Sequence, residues 1–217
     1  MFKSHPELSK LNTAAFNSGR VLPVMEHFHS LQGEGYHTGA AAYFFRIGGC
    51  DVGCHWCDVK ESWNAATHPL VDVDKLIEEV NIPKQTGIVI TGGEPLMYNL
   101  NYFTSQLKLR GYTLHLETSG AYALNGNWDW ICVSPKKNKP PLPEMLKKAH
   151  ELKVIIHNQN DFEWAKQHAQ CVSSECKLYL QPEWSKLKEI QMDVISFVQH
   201  NPIWKISLQT HKYLNIP

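Results

Sequence analysis

Three cysteines stand close together in the segment CDVGCHWC, at Cys50, Cys54 and Cys57. Cysteine thiolates are ligands of zinc and of iron–sulfur clusters. The spacing C-x3-C-x2-C places three such ligands in one short loop, whereas a 4Fe–4S cluster normally takes four cysteines. A cluster held by these three would keep an open coordination position at one iron, which is typical of a metal that takes part in chemistry.

A zinc site explains the loop less well. Structural zinc normally has four protein ligands, often in two separated C-x2-C pairs. The remaining cysteines form no second pair, because Cys132 falls within a predicted strand and Cys171 and Cys176 are five positions apart. His55 is a fourth ligand in principle, but its position between ligands of a tight loop makes tetrahedral ligation awkward. A non-catalytic zinc or iron–sulfur module is kept as an alternative.

The composition favours one globular domain and excludes several classes of protein. Of the 217 residues, 43% are hydrophobic and 19% are charged. Lysine plus arginine balance aspartate plus glutamate at 21 each, so the broad basic face typical of nucleic-acid binding is not expected. No apolar run predicts a membrane span or a signal peptide. We therefore expect a cytoplasmic protein whose cysteines stay reduced.

Short β-rich runs alternate with amphipathic stretches along the chain. The predicted strands are 41–47, 87–91, 112–117, 130–134, 153–157, 177–181 and 204–209. The predicted helices are 71–80 (beginning near Asp72 or Asp74), 99–111, 142–151, 161–169 and 186–199. Repeated strand–helix units with apolar strands predict an α/β fold, in which helices cover a parallel sheet.

Polar clusters follow the predicted strands: TGGEP (91–95), ETSG (117–120), SPKK (134–137), QPEW (181–184) and QTHK (209–212). The carboxyl ends of parallel strands are where such folds assemble their active sites. A complete eight-unit barrel takes about 250 residues. We therefore predict a partial, open barrel formed by residues 21–217, preceded by an N-terminal arm at 1–20.

The cysteine loop, with Trp56 before its last cysteine, resembles the signature of the radical S-adenosylmethionine (SAM) superfamily, and TGGEP resembles the glycine-rich segment of that superfamily. The resemblance implies a partial barrel with a 4Fe–4S cluster. The open iron would bind SAM, and one electron would cleave SAM to methionine and a 5′-deoxyadenosyl radical. The backbone at Gly93 would contact the SAM amino group, because a glycine without Cβ allows close approach.

The flanking segments EHFHSLQGEG (26–35), SPK (134–136) and SLQTHKYLNIP (207–217) resemble the 7-carboxy-7-deazaguanine synthase family, from about residue 21 to the last residue. The resemblance implies that 6-carboxy-5,6,7,8-tetrahydropterin is ring-contracted with loss of ammonia, and that SAM is re-formed in each turnover. It also implies Mg²⁺, an external one-electron reductant and a homodimer. The product would feed queuosine or 7-deazapurine biosynthesis.

The resemblance also assigns roles to individual residues. Besides the three cysteines, the expected cofactor-binding residues are Trp56, Asp58, Gly93, Glu94, Glu117, Ser134, Pro135, Lys136 and Gln181. The expected substrate-binding residues are Leu31, Gln32, Gly33, Glu34, Arg46, Thr91, His211 and Pro217. Arg46 offers a planar fork for the substrate carboxylate, and the terminal carboxylate of Pro217 can accept two parallel N–H bonds from the pterin edge.

One position departs from the family pattern. Two residues after the last cysteine, many members have Thr or Ser, whose hydroxyl can ligate Mg²⁺, but here the residue is Val59. Valine offers no oxygen ligand, so we expect weaker or altered dependence on Mg²⁺. An activating enzyme for a glycyl-radical partner remains an alternative, because such enzymes share the cysteine loop and the partial barrel.

Overall fold

The computed structural model describes residues 13–217. The first twelve residues of the predicted arm lie outside this range, and its remainder contains the short helix α1 (Thr13–Asn17). Within residues 13–217, nine strands form one sheet in the order β3-β1-β2-β4-β5-β6-β7-β8-β9. The strands are β1 (Val21–Leu31), β2 (Ala41–Ile47), β3 (Leu70–Asp72), β4 (Gly87–Gly92), β5 (Leu114–Thr118), β6 (Trp130–Val133), β7 (Glu151–Ile156), β8 (Lys177–Pro182) and β9 (Trp204–Ile206).

The sheet is parallel from β2 through β4 to β9. The first strands are an exception to the parallel prediction, since β1 runs antiparallel to both β2 and β3. A short connection of residues 32–40 suffices here because only a parallel pair requires a long crossover. The edge strands β3 and β9 do not pair with each other, so the barrel is partial and open, as predicted.

The helices lie in the predicted places. They are α2 (Val73–Glu78), α3 (Asn101–Leu109), α4 (Pro143–Lys148), α5 (Asn160–Ala169), α6 (Leu187–His200) and α7 (Thr210–Leu214). Asp72 begins α2 by accepting hydrogen bonds from the N–H groups of Asp74 and Lys75. The helix α7 was not predicted. The strand predicted at 204–209 ends at Ile206, and the following polar residues turn towards the barrel interior instead of continuing the sheet.

The two faces of the sheet differ in polarity. The outer face packs on the helices in an apolar core that includes Phe45, Phe103, Leu116 and Val194. On the inner face, β2 and β4 contribute a small apolar cluster. The inner face of β5 to β8 is instead polar, because successive strand residues point to opposite sides. Its polar side chains are His115, Glu117, Cys132, Glu151, Lys153 and Gln181.

Within residues 13–217, no helix combines the length and the apolar character that crossing a membrane would require.

Candidate active site

A cavity of about 610 Å³ opens at the carboxyl ends of the parallel strands. It is large enough for a drug-sized ligand. The structure brings every predicted site residue except Pro135 to the wall of this cavity. Pro135 is buried beside it. The location agrees with the rule that parallel barrels carry their sites at the strand carboxyl ends.

The cysteine loop forms one wall. Cys50, Cys54 and Cys57 are free thiols, each partly buried. The loop is fixed to its surroundings, since the Gly49 and Cys50 amides donate to the carbonyls of Ser62 and Trp63.

Side chains outside the loop hold it as well. Asp51 accepts hydrogen bonds from Tyr122 (2.6 Å) and Lys139 (2.7 Å). Asn138 donates to the Gly53 carbonyl (2.7 Å). The loop is therefore attached to the segments that follow β5 and β6.

The donor set beside the cysteines fits a cluster with a polar organic ligand. Burial raises the pKa of the Cys50 and Cys54 thiols, and the Lys136 ammonium opposes this for Cys54. Trp56 Nε1 and His157 Nδ1 are buried at this wall without a hydrogen-bond partner among residues 13–217, although their rings stack. Buried polar atoms are normally satisfied. His157 Nδ1 lies 3.7 Å from Glu183 Oε2, so Trp56 Nε1 is the atom left for a group that a bound ligand would supply. In the described part of the chain, no three His, Cys, Asp or Glu side chains converge on a single-ion site.

The TGGE turn after β4 packs directly on the start of the cysteine loop. Its Gly93 and Glu94 amides donate to the Ile47 and Gly49 carbonyls (2.8 and 2.9 Å). A Cβ on Gly93 would lie 2.2 Å from the Gly49 oxygen, and Gly92 has a φ of +116° beside the Ile47 backbone. The two glycines are therefore required by backbone packing, in addition to any approach to a cofactor.

Glu94 lines the cavity and also joins two turns. Its carboxylate is buried and accepts hydrogen bonds from Thr118 Oγ1 (2.6 Å), the Ser119 amide (2.8 Å) and Ser119 Oγ (2.5 Å). The carboxylate thus ties the turn after β4 to the turn after β5.

The segment after β6 supplies a cation. Lys136 Nζ donates to the Ser134 carbonyl and to Ser134 Oγ, both at 2.7 Å. Burial lowers the pKa of Lys136. On β8, Gln181 accepts a hydrogen bond from Ser207 Oγ (2.7 Å). These groups lie on the wall predicted to hold the adenosine end of SAM.

Lys153, which was not among the predicted site residues, is a buried cation of the cavity wall. Only 5% of its side chain is exposed, and its Nζ lies 2.5 Å from Glu34 and 3.8 Å from Glu117. Gln32 donates to the same Glu117 carboxylate (2.8 Å). The sequence did contain a sign of this role. Lys153 precedes three apolar residues in the predicted strand KVIIH, and a lysine that is buried in such a strand is expected to have a charged partner.

These interactions set the charge state of Glu34. Burial alone would raise the pKa of Glu34, but the Lys153 ammonium and hydrogen bonds from Lys153 and Gln209 outweigh it and lower this pKa to about 2. Burial also opposes the charge on Lys153, yet Glu117 and Glu34 raise its pKa well above the ordinary value. The carboxylate and the ammonium are both charged at neutral pH.

Arg46 lines the cavity and also forms an ion pair with Glu26. Its Nη1 donates to Glu26 Oε1 (2.6 Å), and its guanidinium lies over the Phe28 ring. Thr91 is paired with Arg46 across β2 and β4. Arg46 is thus held in one orientation beside Thr91 by a neighbouring strand.

The C-terminal segment closes the cavity. The Gly33 carbonyl accepts hydrogen bonds from the amide (2.9 Å) and hydroxyl (3.0 Å) of Thr210, at the start of α7. A Cβ on Gly33 would lie 2.2 Å from His211 Nδ1. Asp58 of the cysteine loop accepts from Gln209 and Lys212, both at 3.0 Å. The chain ends at Pro217 on the cavity wall.

Known proteins resemble this chain throughout the described fold. The model of the "Radical SAM superfamily" matches residues 45–158. A "7-carboxy-7-deazaguanine synthase" of Flavobacterium psychrophilum is 55% identical over 210 residues, covering 97% of this chain and 100% of the relative. The protein of that name from Synechocystis sp. is 47% identical, covering 89% and 93% respectively. The crystal structure of QueE from Escherichia coli superposes with a TM-score of 0.78 at 27% identity, covering 93% of this chain and 99% of the other.

The match to the superfamily model spans the cysteine loop and the polar segments after β4, β5 and β6, and the relative from Flavobacterium psychrophilum aligns over 97% of the chain. This chain therefore belongs to the radical SAM superfamily and, within it, to the 7-carboxy-7-deazaguanine synthase family.

Proposed function

We propose that this chain is a radical SAM lyase that converts 6-carboxy-5,6,7,8-tetrahydropterin to 7-carboxy-7-deazaguanine, with ring contraction and loss of ammonia. One observation carries the proposal: three free thiols, the Lys153 cluster and Pro217 line the same cavity. The thiols suit an iron–sulfur cluster, and the charged groups around Lys153 suit a flat polar substrate. The names of the relatives support the same reaction.

Membership of the superfamily implies a 4Fe–4S cluster and SAM. Cys50, Cys54 and Cys57 would hold the cluster, and together the two groups supply hydrogen-atom abstraction from the substrate. The backbone at Gly93 and Asp58 would face the methionine portion of SAM.

Further residues of the chain would hold the rest of SAM. Ser134 and Lys136 would bind the adenosine end, and Gln181 would lie on the adenine side. Trp56 would contact SAM from the cysteine loop. Glu117 would reach the ribose or the methionyl portion. Pro135 and Glu94 would hold SAM from the turns after β6 and β4, where the Glu94 carboxylate is bonded to Thr118 and Ser119.

The substrate would lie against the opposite wall. Gln32 and Glu34 would bond the polar pterin edge, and the Pro217 carboxylate would accept parallel N–H bonds from it. Arg46 would bind the substrate carboxylate, since its guanidinium fork matches that group.

The remaining predicted substrate residues complete this wall. Thr91 would add a hydroxyl, and Leu31, Gly33 and His211 would complete the contact surface. Of these, Gly33 and His211 are held together by the close packing of loop and helix.

An anaerobic assay tests the function. The reconstituted protein is given dithionite, SAM and the tetrahydropterin, and products are followed by mass spectrometry. We expect 7-carboxy-7-deazaguanine from the wild type, none from Cys54→Ala, and wild-type amounts from Cys171→Ala, because Cys171 is an exposed free thiol outside the cavity.

Two other outcomes have definite meanings. SAM cleavage without reaction of the pterin would favour an activating enzyme for a glycyl-radical partner. Zinc at one per chain, in place of iron and sulfide, would favour a non-catalytic module.

We expect weaker or altered dependence of the activity on Mg²⁺, because the Val59 side chain offers no oxygen at a position where many family members have a hydroxyl. Ser62, which also lines the cavity, donates its hydroxyl hydrogen to the Val59 carbonyl (2.7 Å). The measurement is activity after chelation and after adding Mg²⁺ back, with iron content as the control for cluster loss. An absolute requirement for Mg²⁺ would contradict this expectation.

The homodimer, the external one-electron reductant and the cytoplasmic location are further parts of the proposal. The mass of the protein in solution tests the dimer, whose expected value is twice the 24.8 kDa of the chain. Replacing dithionite with a flavodoxin- or ferredoxin-like protein tests the reductant. The free cysteines support a reducing compartment, and fractionation of the cells that make the protein tests it.

A further inference from the structure

His157 joins the cysteine loop to the end of β7. It follows the last residue of that strand and lines the cavity, although it was not among the predicted site residues. Its ring stacks on that of Trp56, with the ring centroids 5.5 Å apart and the planes inclined by 16°. The ring of His55 packs edge-on against both, at 4.2 Å from Trp56 and 5.4 Å from His157. The three rings therefore form one group at the cavity wall.

The backbone that carries the His157 ring is held in place. The amides of His157 and Asn158 donate to Asp161 Oδ2, at 2.7 and 2.9 Å. The Asp161 side chain is buried and also forms an ion pair with Lys137. This carboxylate fixes the turn after β7, so the position from which the His157 ring extends is set by the barrel.

Glu183, in the turn after β8, faces one edge of the His157 ring. Its Oε2 lies 3.7 Å from His157 Nδ1, and both side chains are mostly buried. The carboxylate is itself fixed, because it accepts hydrogen bonds from the Ser185 amide (3.1 Å) and from Ser185 Oγ (2.5 Å). With Glu183 at an edge of the ring and Trp56 against its plane, the orientation of the imidazole is set in two directions.

The contact with His157 sets the plane of the Trp56 ring. Side-chain hydrogen bonds hold the cysteine loop at Gly53, before Trp56, and at Asp58, after it. The indole itself is held by ring contacts, and its Nε1–H is buried without an acceptor among residues 13–217. A tryptophan N–H donates only, and a buried one usually finds an acceptor. The direction of this N–H therefore decides which ligand atom it can reach.

We propose that His157 is a positioning residue for SAM: its ring fixes the plane of Trp56, so that the Trp56 Nε1–H points to an acceptor atom of the bound cofactor. The inference rests on the proposed function, since SAM is the ligand that it assumes. A flat ring suits this task, because stacked aromatic pairs prefer a defined offset and orientation. His157 acts through Trp56, which is the residue that donates to SAM.

Calorimetric titration of the cluster-loaded protein with SAM, under anaerobic conditions, tests the proposal without measuring turnover. We expect His157→Ala to raise the Kd for SAM by about 5- to 10-fold, which is the effect of losing one hydrogen bond. His157→Phe keeps a flat ring beside Trp56 and should bind SAM nearly as the wild type does. If His157→Ala fails to fold, His157→Leu takes its place, because leucine fills the space without a flat ring.

Trp56→Phe tests whether His157 acts through the indole N–H. Phenylalanine keeps an aromatic ring at this position and removes the donor. We expect Trp56→Phe to raise the Kd for SAM as His157→Ala does, and the two changes together to raise it no further. Such non-additivity in a double-mutant cycle measures the coupling between two residues in contact.

His168→Ala is the matched control. His168 packs edge-on against Trp164 on α5, with the ring centroids 4.4 Å apart, outside the cavity. The variant therefore breaks a contact between the same two residue types away from the site. Its Kd for SAM and its iron content should equal those of the wild type.

Three results would overturn the proposal. The first is wild-type affinity for SAM in His157→Ala, and the second is equal weakening in His157→Ala and His157→Phe. The third is an additive effect of His157→Ala and Trp56→Phe, because His157 would then not act through the indole. Iron and sulfide analysis accompanies each titration. Loss of iron from His157→Ala, with normal SAM affinity of the clusters that remain, would show that the ring holds the cysteines and would also overturn the proposal.

The wild type separates this proposal from the proposed function. If the cluster-loaded wild type does not bind SAM, both are wrong. If it binds SAM but leaves the pterin unchanged, the substrate assignment is wrong and the role of His157 is still decided by the titrations. A wild type that forms product, together with a His157→Ala variant of unchanged SAM affinity, overturns the role of His157 alone.

Discussion

Lys153 places one positive charge among carboxylates inside the barrel. Burying charged groups is costly, and the cost is offset only when the partners are close and hydrogen-bonded. Here Glu34 lies 2.5 Å away and also accepts a hydrogen bond from Gln209. Glu117 lies 3.8 Å away and accepts from Gln32. Removal of any one partner therefore leaves an uncompensated charge in the interior.

Glu34→Gln should destabilise the protein at neutral pH and much less in acid. Glu34 has a pKa of about 2 in the folded protein against an ordinary value of 4.5. Because the folded pKa is the lower one, the charged form stabilises the fold above pH 4.5, and this stabilisation is lost as the pH falls towards 2. The shift corresponds to about 3 kcal/mol. Urea unfolding of both proteins at several pH values measures the free energies of unfolding.

The difference between wild type and Glu34→Gln should shrink between pH 4.5 and pH 2. Glu163→Gln serves as the control, since 69% of that side chain is exposed, and it should differ little from the wild type at any pH. A difference that stays constant across the whole pH range would show that ionisation of Glu34 is not what stabilises the fold.

At the scale of elements, the end of β4 and the start of the cysteine loop are built as one unit. Gly92 and Gly93 let the turn approach the backbone of residues 47–49 to a distance that no Cβ would permit. The adjoining Glu94 carboxylate joins this unit to the turn after β5. The orientation of the cysteines is therefore set by backbone contacts between neighbouring strand ends.

Gly93→Ala should lower the iron content of the reconstituted protein. The new Cβ would lie 2.2 Å from the Gly49 carbonyl oxygen, and a backbone atom yields less readily than a flexible side chain. Overpacking of this kind costs about 1–3 kcal/mol, and relief requires the cysteine loop to move. Iron and sulfide analysis with the visible absorption spectrum measures the effect.

Gly87→Ala, at the start of the same strand, is the matched control. Its Cβ would lie 3.3 Å from the His115 ring, which can adjust, so iron content should stay normal. Equal iron content in the two variants would show that the close packing at Gly93 does not position the cysteines.

At the scale of the whole molecule, residues 209–217 border the same cavity as the cysteine loop. The helix α7 docks on the loop at Gly33, and Gln209 and Lys212 bond Asp58 of the cysteine loop. Parts of the chain that are far apart in sequence thus enclose one cavity. The open barrel permits this arrangement. Its edge strands β3 and β9 do not pair, and the gap between them leaves room for residues 207–217.

Adding one glycine after Pro217 should raise the KM for the pterin by about 10-fold or more while leaving the iron content unchanged. The extra residue moves the terminal carboxylate, and charge-assisted hydrogen bonds are worth about 1.5–3 kcal/mol. Steady-state kinetics of the extended protein measures the change.

Pro217→Ala is the control for that extension, because it keeps the carboxylate at its place in the chain. It should retain nearly wild-type KM. An extended protein with wild-type KM would contradict substrate binding by the chain terminus.

Some features were determined by the sequence alone. The spacing of Cys50, Cys54 and Cys57 predicted their shared loop, since ligands so close in sequence must be near one another in space. Apolar runs separated by amphipathic stretches predicted the parallel strands from β2 onward and their helices, because hydrophobic periodicity reports local geometry. The polar strand ends predicted where the cavity lies, because parallel strands all end at one edge.

Other features depended on tertiary structure. The sequence marks Lys153 only as a lysine among apolar strand residues, and the structure alone places its partners Glu34 and Glu117, each more than thirty residues away, beside it. The antiparallel pairing of β1 and the helix α7 also escaped prediction, since both depend on how distant segments close the barrel. Local pattern determines which residues form an element and which side faces the core. Only the packed chain decides which charges meet inside it, because the stability of a buried charge depends on partners brought from elsewhere in the sequence.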